Sequence, residues 1–441
     1  EAGATPEPVK TVPAHFAAAR DATEAEVGQV FGEDDASHFP IGMPLDMDLE
    51  ICLDAEKLVQ RSTGVFGKTG TGKTFLTRLV LLHLIQKSNQ QRERSKRCVN
   101  LVFDMHSEYG WEGSSEGPGG HVKGLKQIVG SNVLIMTLDE ENAVRRRVRA
   151  DGIVTIAYGD VEPADIEILQ ETLNITPNGV EATHALAKEF GQSGWLEKAL
   201  ALDENDEETA QKLSGMGIHA STMLNLRRGL QKLTRNAFMV KKATAGDSLK
   251  SIIANLLGGR NIVLEFGRYG GQIASYMLVA NVLTRRIYNE FRERSEMALA
   301  SGDEPPNQLM ITIEEAHKFL NPKVAGQTIF GEIAREMRKY HVSLLVIDQR
   351  PSAIDDEVLS QIGTRVVCLL DNEKDVDAVL SGVSGKSELR AVVAKLESRQ
   401  QALILGHAVP MPVVVRPQNY QDTYAAFERS LTDSVSDLYG E

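Results

Sequence analysis

The chain is poor in cysteine and has no long apolar run, and each shortage excludes a class of protein. Its three cysteines, Cys52, Cys98 and Cys368, stand singly in apolar stretches, so neither a disulfide framework nor a Cys-x-x-Cys metal site is expected. No apolar run approaches the roughly 20 residues that cross a bilayer. Unpaired buried thiols and the lack of a signal-peptide pattern predict a cytoplasmic protein that makes no contact with a membrane.

The chain also has fewer basic than acidic residues. Lys and Arg number 48 against 61 Asp and Glu, which gives a net charge of -13. This disfavours a generally basic surface for nucleic acid, but a groove or pore needs only a local basic lining. Zinc-finger, RRM and helix-turn-helix patterns are absent, so base-specific reading is not expected. The 441 residues, 42% hydrophobic and 25% charged, are typical of a soluble globular protein with one large domain and an insertion, or with two or three domains.

Short apolar runs alternate with helical patterns, which predicts an α/β fold with a mainly parallel sheet. A helical insertion is predicted for 161–245, where no convincing strand occurs, and it divides a core of 41–160 and 246–416. The terminal segments 1–40 and 417–441 are predicted to be tails. The predicted strands lie at 64–66, 100–104, 133–137, 153–158, 261–266, 309–313, 343–347, 365–370 and 402–406, with one or two more strands between 41 and 60.

The segment VFGKTGTGKT (65–74) matches the phosphate-binding pattern G-x-x-x-x-G-K-[ST] and lies between an apolar strand and a helix. The glycines let successive backbone N–H groups face phosphates, and the start of the helix adds its positive end. Lys73 is expected to reach the β- and γ-phosphates, and Thr74 to supply a hydroxyl to Mg²⁺. The predicted nucleotide-binding residues are Gly67, Lys68, Thr69, Gly70, Thr71, Gly72, Lys73 and Thr74.

A P-loop enzyme also needs an acidic group for Mg²⁺ and a residue that orients water. The apolar strand in QLMITIEEAHKFL ends in Glu314 and Glu315. Because ligands of α/β proteins sit at the carboxyl ends of strands, Glu314 is predicted to reach Mg²⁺ and Glu315 to polarise the attacking water. The alternative is that this pair caps the following helix.

Two further strands end in polar residues. Asp104 ends NLVFD and is either another Mg²⁺ or water ligand or a turn-capping residue. Gln349 follows VSLLVID and either senses the γ-phosphate or is an ordinary surface amide.

Several cations are candidates for contact with phosphates. Arg338, and after it Arg335, is a candidate arginine finger for a neighbouring subunit, although a solvated basic face is the usual meaning of such a run. Arg61 precedes the loop strand and is close to the nucleotide by chain connectivity. The basic clusters at 145–149, 227–235 and 241–242 are either DNA contacts or solvated helix surface.

Taken together, these segments resemble the HerA family of hexameric DNA translocases, within the HerA–FtsK group of P-loop motors. The resemblance spans roughly residues 41–416 and implies a RecA-like core that forms a homo-hexamer around double-stranded DNA, with ATP and Mg²⁺ at the subunit interfaces. It also implies DNA end processing and repair with a nuclease partner such as NurA. The resemblance is carried, in order, by VFGKTGTGKT, LVFDMHSEYG, ITIEEAHKFL, IAREMRKYHVSLLVIDQRPSAI and VLSQIGTRVVCLLDNEKD.

By position, the resemblance implies a role for each matching residue. Glu315 corresponds to the catalytic glutamate, Gln349 to the sensor and Arg338 to the arginine that acts on a neighbouring subunit. The remaining correspondences are Lys73 and Thr74 as the P-loop pair, Asp104 as the acid on the second strand and Arg61 as a further arginine near the nucleotide.

Two features depart from the family pattern. Glu314 stands where an Asp is usual, and the residues ahead of the loop strand are too few for the family's N-terminal β-barrel. Residues 1–40 are rich in Ala, Glu, Asp and Pro with little periodicity, so they are expected to be a tail or the remnant of that barrel. The alternative functions are a conjugation or secretion ATPase of the same superfamily, an antiviral complex built on a HerA-like ring, and a small-molecule kinase.

Overall fold

The alternating apolar and helical segments form a layered α/β core in the computed structural model, which describes residues 18, 20–114, 121–242, 247–336, 339–397 and 401–439. The strands are β1 (His38–Pro44), β2 (Ile51–Asp54), β3 (Thr63–Phe66), β4 (Cys98–Asp104), β5 (Gly113–Ser114), β6 (His121–Val122), β7 (Val133–Thr137), β8 (Gly152–Ile153), β9 (Ile156–Ala157), β10 (Met239–Val240), β11 (Asn261–Glu265), β12 (Gln308–Glu314), β13 (Val342–Asp348), β14 (Thr364–Val367), β15 (Ala402–Gly406) and β16 (Val413–Pro417).

Helices cover both faces of the sheet. They are α1 (Glu24–Phe31), α2 (Ala55–Gln60), α3 (Lys73–Gln90), α4 (Leu125–Val129), α5 (Glu140–Arg145), α6 (Pro163–Ile168), α7 (Gln170–Leu173), α8 (Pro177–Phe190), α9 (Trp195–Ala201), α10 (Glu207–Gly215), α11 (Ala220–Thr234), α12 (Ser248–Leu257), α13 (Ile273–Ser301), α14 (His317–Leu320), α15 (Ile329–Glu336), α16 (Asp356–Gln361), α17 (Glu373–Val379), α18 (Lys386–Val393) and α19 (Tyr420–Tyr439).

Twelve of the described strands form one sheet, in the order β2-β1-β16-β15-β14-β3-β13-β12-β4-β11-β7-β8. The strands from β14 to β8 in this order run parallel, and β15, β16, β1 and β2 extend the sheet with antiparallel pairs. Every residue of β4 and β13 is buried, because helices cover both faces of the parallel part. The predicted α/β fold with a mainly parallel sheet is therefore confirmed.

Two segments that were expected to be tails contain regular structure. Helix α1 and the start of β1 lie within 1–40, and α19 lies within 417–441. Helix α19 packs against α3, and its Tyr420 and Phe427 are only 4% and 9% exposed. Tyr420, Tyr424 and Phe427 recur at the spacing of one helix face, an apolar stripe that the polar composition of the segment conceals.

Most of the described part of the predicted insertion is helical, and it also contains the short strand β10. Helices α6 to α11 lie between Pro163 and Thr234 and enclose an apolar cluster that includes Leu226 and Leu230. The predicted strand 153–158 is instead two short strands, β8 and β9, and β9 leaves the main sheet to pair with β10. The paired β9 and β10 bring the two ends of the insertion together.

A buried polar cluster fixes the insertion to the core. Asp165 of α6 accepts hydrogen bonds from Asn281 (2.7 Å) and from Arg285 (2.8 Å), both on the long helix α13. Asp165 is 1% exposed, so these contacts are shielded from water and are stronger than surface pairs. The insertion is thereby held in a defined position on the core.

We expect the buried apolar side chains of the insertion to contribute much more to the stability of the protein than its exposed apolar side chains do. Leu230 is fully buried whereas Leu299, at the end of α13, is 83% exposed. We expect Leu230→Ala to lower the free energy of unfolding by ~2–5 kcal/mol, because it leaves a cavity. Leu299→Ala is the matched control and should change it by less than ~0.5 kcal/mol. Chemical denaturation of both variants measures the difference, and equal losses would contradict this packing.

Candidate nucleotide-binding site

A cavity of about 390 Å³ opens at the carboxyl ends of β3, β4, β12 and β13. Its walls come from the segments that follow these four neighbouring strands. Since parallel strands point the same way, their carboxyl ends meet at one edge of the sheet, where ligands of α/β proteins bind. The cavity therefore unites residues that are far apart in the sequence.

The loop between β3 and α3 forms one wall of the cavity. Gly70 and Gly72 have φ angles of 78° and 87°, a left-handed conformation that side chains other than glycine rarely adopt. The ammonium group of Lys73 donates hydrogen bonds to the carbonyl oxygens of Gly67 (2.7 Å) and Lys68 (2.8 Å). Burial lowers the pKa of Lys73. The Lys73 ammonium thus folds back on its own loop, in a cavity where it can exchange these carbonyls for other oxygens.

The predicted nucleotide-binding residues divide into two groups. Lys68 and Thr71 support the loop: Lys68 pairs with Asp371 (2.9 Å), and the Thr71 hydroxyl donates to the Lys68 carbonyl (2.8 Å). Gly67 adjoins the cavity through the carbonyl that Lys73 holds. The residues that line the cavity are Thr69, Gly70, Gly72, Lys73 and Thr74.

A chain of hydrogen bonds connects the loop to the acidic wall. The Thr69 hydroxyl donates to the side-chain oxygen of Gln349 (2.6 Å), whose amide nitrogen donates to Oε1 of Glu315 (3.2 Å). Both ends of the amide are engaged, so its orientation is fixed. Glu315 has a φ of 51°, which is uncommon outside glycine and is a form of strain that concentrates at functional sites.

Glu314 lies deeper, beside Glu315. It is 7% exposed, and its Oε1 accepts a hydrogen bond from the Tyr109 hydroxyl (2.9 Å). Its Oε2 is buried and has no hydrogen-bond partner among the described residues. Burial, together with the nearby Asp104 carboxylate, raises the pKa of Glu314 to about 8. This carboxyl group therefore lacks the positive partner that a buried carboxylate requires.

Asp104 lies beneath the cavity and not on its wall. Its carboxylate accepts hydrogen bonds from the backbone N–H groups of Glu108 (2.8 Å), Tyr109 (2.8 Å) and Gly110 (3.3 Å). Of the two alternatives, the geometry is that of a turn-capping residue, although burial raises the pKa of Asp104. By shaping this turn, Asp104 places Glu108 and the preceding Ser107 on the wall.

Of the predicted arginines, the two that the structure describes, Arg61 and Arg335, do not line this cavity. Arg61 precedes β3 and packs on Gly363, at the opposite end of the strand from the phosphate loop, so proximity along the chain was misleading. Arg335 lies 3.6 Å from Glu357 of α16 and donates to the Ala325 carbonyl (3.3 Å). Arg338 lies outside the described residues.

Three side chains at the site were missed from the sequence. Asp348, at the end of β13, accepts hydrogen bonds from the backbone N–H (2.6 Å) and ring Nδ1 (2.9 Å) of His317. This imidazole is also 3.7 Å from Glu315. Arg78 is 2% exposed, donates to the Glu108 carbonyl, and keeps two nitrogens without a partner among the described residues. A lone arginine in the apolar helix FLTRLVLLHLI was the signal for it.

The donor atoms available suit Mg²⁺. Glu314, which has an unpartnered oxygen, and Thr74, which has a hydroxyl, line the same cavity, and hard cations prefer oxygen ligands. Within the described residues there is no cluster of three His, Cys, Asp or Glu side chains that would hold a metal. A cation here would therefore need phosphate or water oxygens as well, which is the usual way in which proteins bind Mg²⁺.

Comparison with known proteins identifies relatives. The family described as "Helicase HerA, central domain" matches residues 39–287. A DNA double-strand break repair helicase HerA of Sulfurisphaera tokodaii is 24% identical over 421 residues, which covers 94% of this chain and 75% of that protein. A helicase of the same name from Pyrococcus furiosus is 35% identical over 117 residues, 26% of this chain and 21% of that protein.

A solved structure shares the fold. VirB4 of Thermoanaerobacter pseudethanolicus superposes with a TM-score of 0.52 at 13% identity and covers 88% of this chain and 97% of that one. None of the helices in the described part of the chain is long and apolar enough to span a bilayer.

The raised pKa of Glu314 should be visible in stability. An unfolded Glu has a pKa of about 4.3, and the folded value is about 8. The folded state therefore holds the proton longer, and stability falls as pH rises between these values. Glu314→Gln removes this term, so its stability relative to the wild type should increase across that window by ~1.4 kcal/mol per pH unit at most.

The measurement is denaturant unfolding at several pH values without nucleotide or Mg²⁺. Glu181→Gln, at an exposed position on α8, is the control and should show a difference that does not vary with pH. A pH-independent difference for Glu314→Gln as well would contradict the buried, protonated carboxyl.

Proposed function

This chain belongs to the HerA helicase family and is a P-loop ATPase, and we propose that it uses ATP hydrolysis to move along double-stranded DNA. The observation that carries the proposal is the set of four polar strand ends around one cavity: the phosphate loop, Glu314 with Glu315, Gln349, and the turn held by Asp104. The relatives named as DNA double-strand break repair helicases support DNA as the substrate.

The phosphate loop would bind the triphosphate. Its backbone N–H groups and the start of α3 attract anions. Lys73 would release the carbonyl oxygens of Gly67 and Lys68 and bind phosphate oxygens instead. Thr74 and Glu314 would hold Mg²⁺, which neutralises the charge that develops on the phosphate oxygens. A cation beside Glu314 would also favour its ionised form, since an opposite charge lowers the pKa of a carboxyl group.

Glu315 would orient and polarise the attacking water. Its carboxylate lies on the cavity wall, and its position is fixed by the Gln349 amide on one side and by the nearby His317 ring on the other. Gln349 also touches Thr69 of the phosphate loop. Movement of that loop on binding or release of the γ-phosphate would therefore reach Glu315 through one side chain.

We propose that the active form is a homo-hexameric ring in the cytoplasm, with DNA in its centre and a nuclease partner of the NurA type for DNA end processing. Arg335 and Arg61 do not line the cavity of their own chain, so in this proposal each serves the nucleotide of a neighbouring subunit. Arg338 is proposed for the same role. A cation in that position stabilises the transition state of phosphoryl transfer.

DNA dependence of hydrolysis tests the function. We expect linear duplex DNA to increase steady-state ATP hydrolysis, and Glu315→Gln to lower it by ~10²–10⁴-fold while nucleotide binding remains. Hydrolysis that requires Glu315 but ignores DNA would favour the alternatives, a ring that serves as a platform in an antiviral complex or a secretion ATPase. Gel filtration of the same protein in the presence of ATP measures whether it assembles into a hexamer.

The Gln349 bridge gives a second test. Gln349→Ala removes the contact that positions Glu315, and small displacements of a reacting group cost up to ~10²-fold in rate. We therefore expect kcat to fall by roughly 10–100-fold, with little change in ATP affinity. Gln361→Ala, an exposed position on α16, is the matched control. A loss of affinity without a loss of kcat would contradict the bridging role.

A further inference from the structure

A second, more open cleft adjoins the nucleotide cavity. It measures about 520 Å³ and lies between the turn after β4, the end of α5 and the segment after β11. His106 and Ser107 line both this cleft and the nucleotide cavity. A ligand in the cleft would therefore touch a turn that is also part of the ATP site.

Arginines dominate the outer side of the cleft. Arg145 lies on its wall, and Arg147 and Arg149 follow it in the sequence, just before β8. All three are exposed, and within the described residues none of their side chains has an ion pair or a hydrogen bond. In a chain with a net charge of -13, three exposed arginines close together in the sequence, one of them on the cleft wall, are a local concentration of positive charge that favours anions.

Arg146 points inward from the same run. Its guanidinium is 3.4 Å from Glu265, at the end of β11, and 3.5 Å from the carbonyl oxygen of Ser107. Both contacts are long for hydrogen bonds, so a competing anion can draw this group away. Glu265 is paired in register with Asp104, the residue that caps the turn. Arg146 thus connects the exposed arginines with the wall of the nucleotide cavity.

The backbone has unusual geometry at both ends of this connection. Arg147 has a φ of 56° and Ser107 a φ of 57°, and neither is a glycine. Such conformations persist only where the surrounding structure imposes them, and they cluster at binding sites and switch regions.

Each of the other basic clusters has members that are paired within the fold. Arg227 pairs with Glu204 (2.7 Å), the Lys232 ammonium donates to the Leu173 carbonyl (3.2 Å), and Lys241 lies 4.0 Å from Glu197. These contacts lie within the helical insertion and have no link to the ATP cavity. The 145–149 run is therefore the cluster best placed for an external anion.

We propose that Arg145, Arg147 and Arg149 bind the phosphate backbone of duplex DNA, and that Arg146 reports this binding to the nucleotide cavity through Glu265 and Ser107. The inference rests on the proposed DNA-translocating function and assigns the contact within it. Arginine suits phosphate because its planar guanidinium donates two hydrogen bonds at once. Contact with phosphates alone needs no base-reading element, in keeping with the sequence.

Salt-dependent DNA binding tests the contact. The variant is Arg145→Gln/Arg147→Asn, in which Asn is chosen because it tolerates positive φ. The control, Arg228→Gln/Arg235→Gln, removes the same charge from exposed positions near the end of the helical insertion. With a linear duplex of mixed sequence, the magnitude of the negative slope of log K against log salt should fall by about 0.9 for each phosphate that the protein no longer neutralises, and only in the first variant.

The outcomes distinguish an error in the assigned DNA contact from an error in the proposed DNA-translocating function. An unchanged slope in the first variant, or an equal fall in both variants, would overturn the assignment of the contact while wild-type binding upholds the function. A wild type that binds no duplex DNA would overturn the proposed function as well. Thermal unfolding followed by circular dichroism is the control for folding: a variant with the melting temperature of the wild type has not lost DNA binding through unfolding.

The relay through Arg146 has its own readout, the ratio of ATP hydrolysis with saturating DNA to hydrolysis without DNA. Arg146→Gln should bring this ratio close to one, whereas Arg146→Lys, which keeps a cation near Glu265, should retain most of the stimulation. A merely structural defect would lower both rates by the same factor and leave the ratio unchanged. A wild-type ratio in Arg146→Gln would overturn the relay.

Discussion

Parallel pairing of β3, β13, β12 and β4 is the constraint on which the site depends. The register pairs Asp348 with Phe66 and Glu314 with Ile347, so the strands end almost level with one another. This alignment alone places the phosphate loop, the two glutamates and Gln349 next to one another. Because helices bury both faces of these strands, a slip of one residue would exchange the side chains of two close-packed faces and is strongly disfavoured.

The same alignment crowds negative charge at one edge of the sheet. Asp104, Glu265 and Glu314 end three neighbouring strands, all are buried, and burial with mutual repulsion raises the pKa of Glu265 to about 7 and that of Glu314 to about 8. Their neighbours compensate only in part: Arg146 reaches Glu265 at 3.4 Å, while the one hydrogen bond to the Glu314 carboxyl group among the described residues comes from the Tyr109 hydroxyl. Such a site gains from binding cations, which relieve an electrostatic cost already present in the fold.

The sequence was most informative where the function resides in contiguous residues. The phosphate loop is a local pattern, and Glu314, Glu315 and Gln349 could be located because a strand ends immediately before them. The role of Asp104 was undecided, because a strand-end carboxylate does not show which backbone groups turn back towards it. Arg61 was assigned to the nucleotide site because it is near the phosphate loop in the sequence. In the structure, Arg61 lies before the start of β3 and the phosphate loop follows the end of that strand, so the length of β3 separates them.

Other features depend on contacts between distant residues. Tyr109 donates a hydrogen bond to Glu314, which is 205 positions away in the sequence, and no local sequence pattern predicts such a pair. Helix α19 was missed because Tyr420, Tyr424 and Phe427 stand among polar residues, and the packing of this stripe depends on the surface that α3 offers. Arg78 left a trace as a single charge in an apolar helix, but its contact with the turn after β4 is visible only in the fold.

The central position of β3 has a consequence for how the protein is made. Its two neighbours in the sheet, β13 and β14, come from the last quarter or so of the chain, and Thr69 meets Gln349 across 280 positions of sequence. A ribosome will have synthesised the phosphate loop long before the strands that support it exist. Such non-local pairing is slow to form, so a nascent chain must keep an apolar strand unpaired for most of its synthesis. The ability to bind nucleotide therefore arises late, when the far end of the sheet has been made.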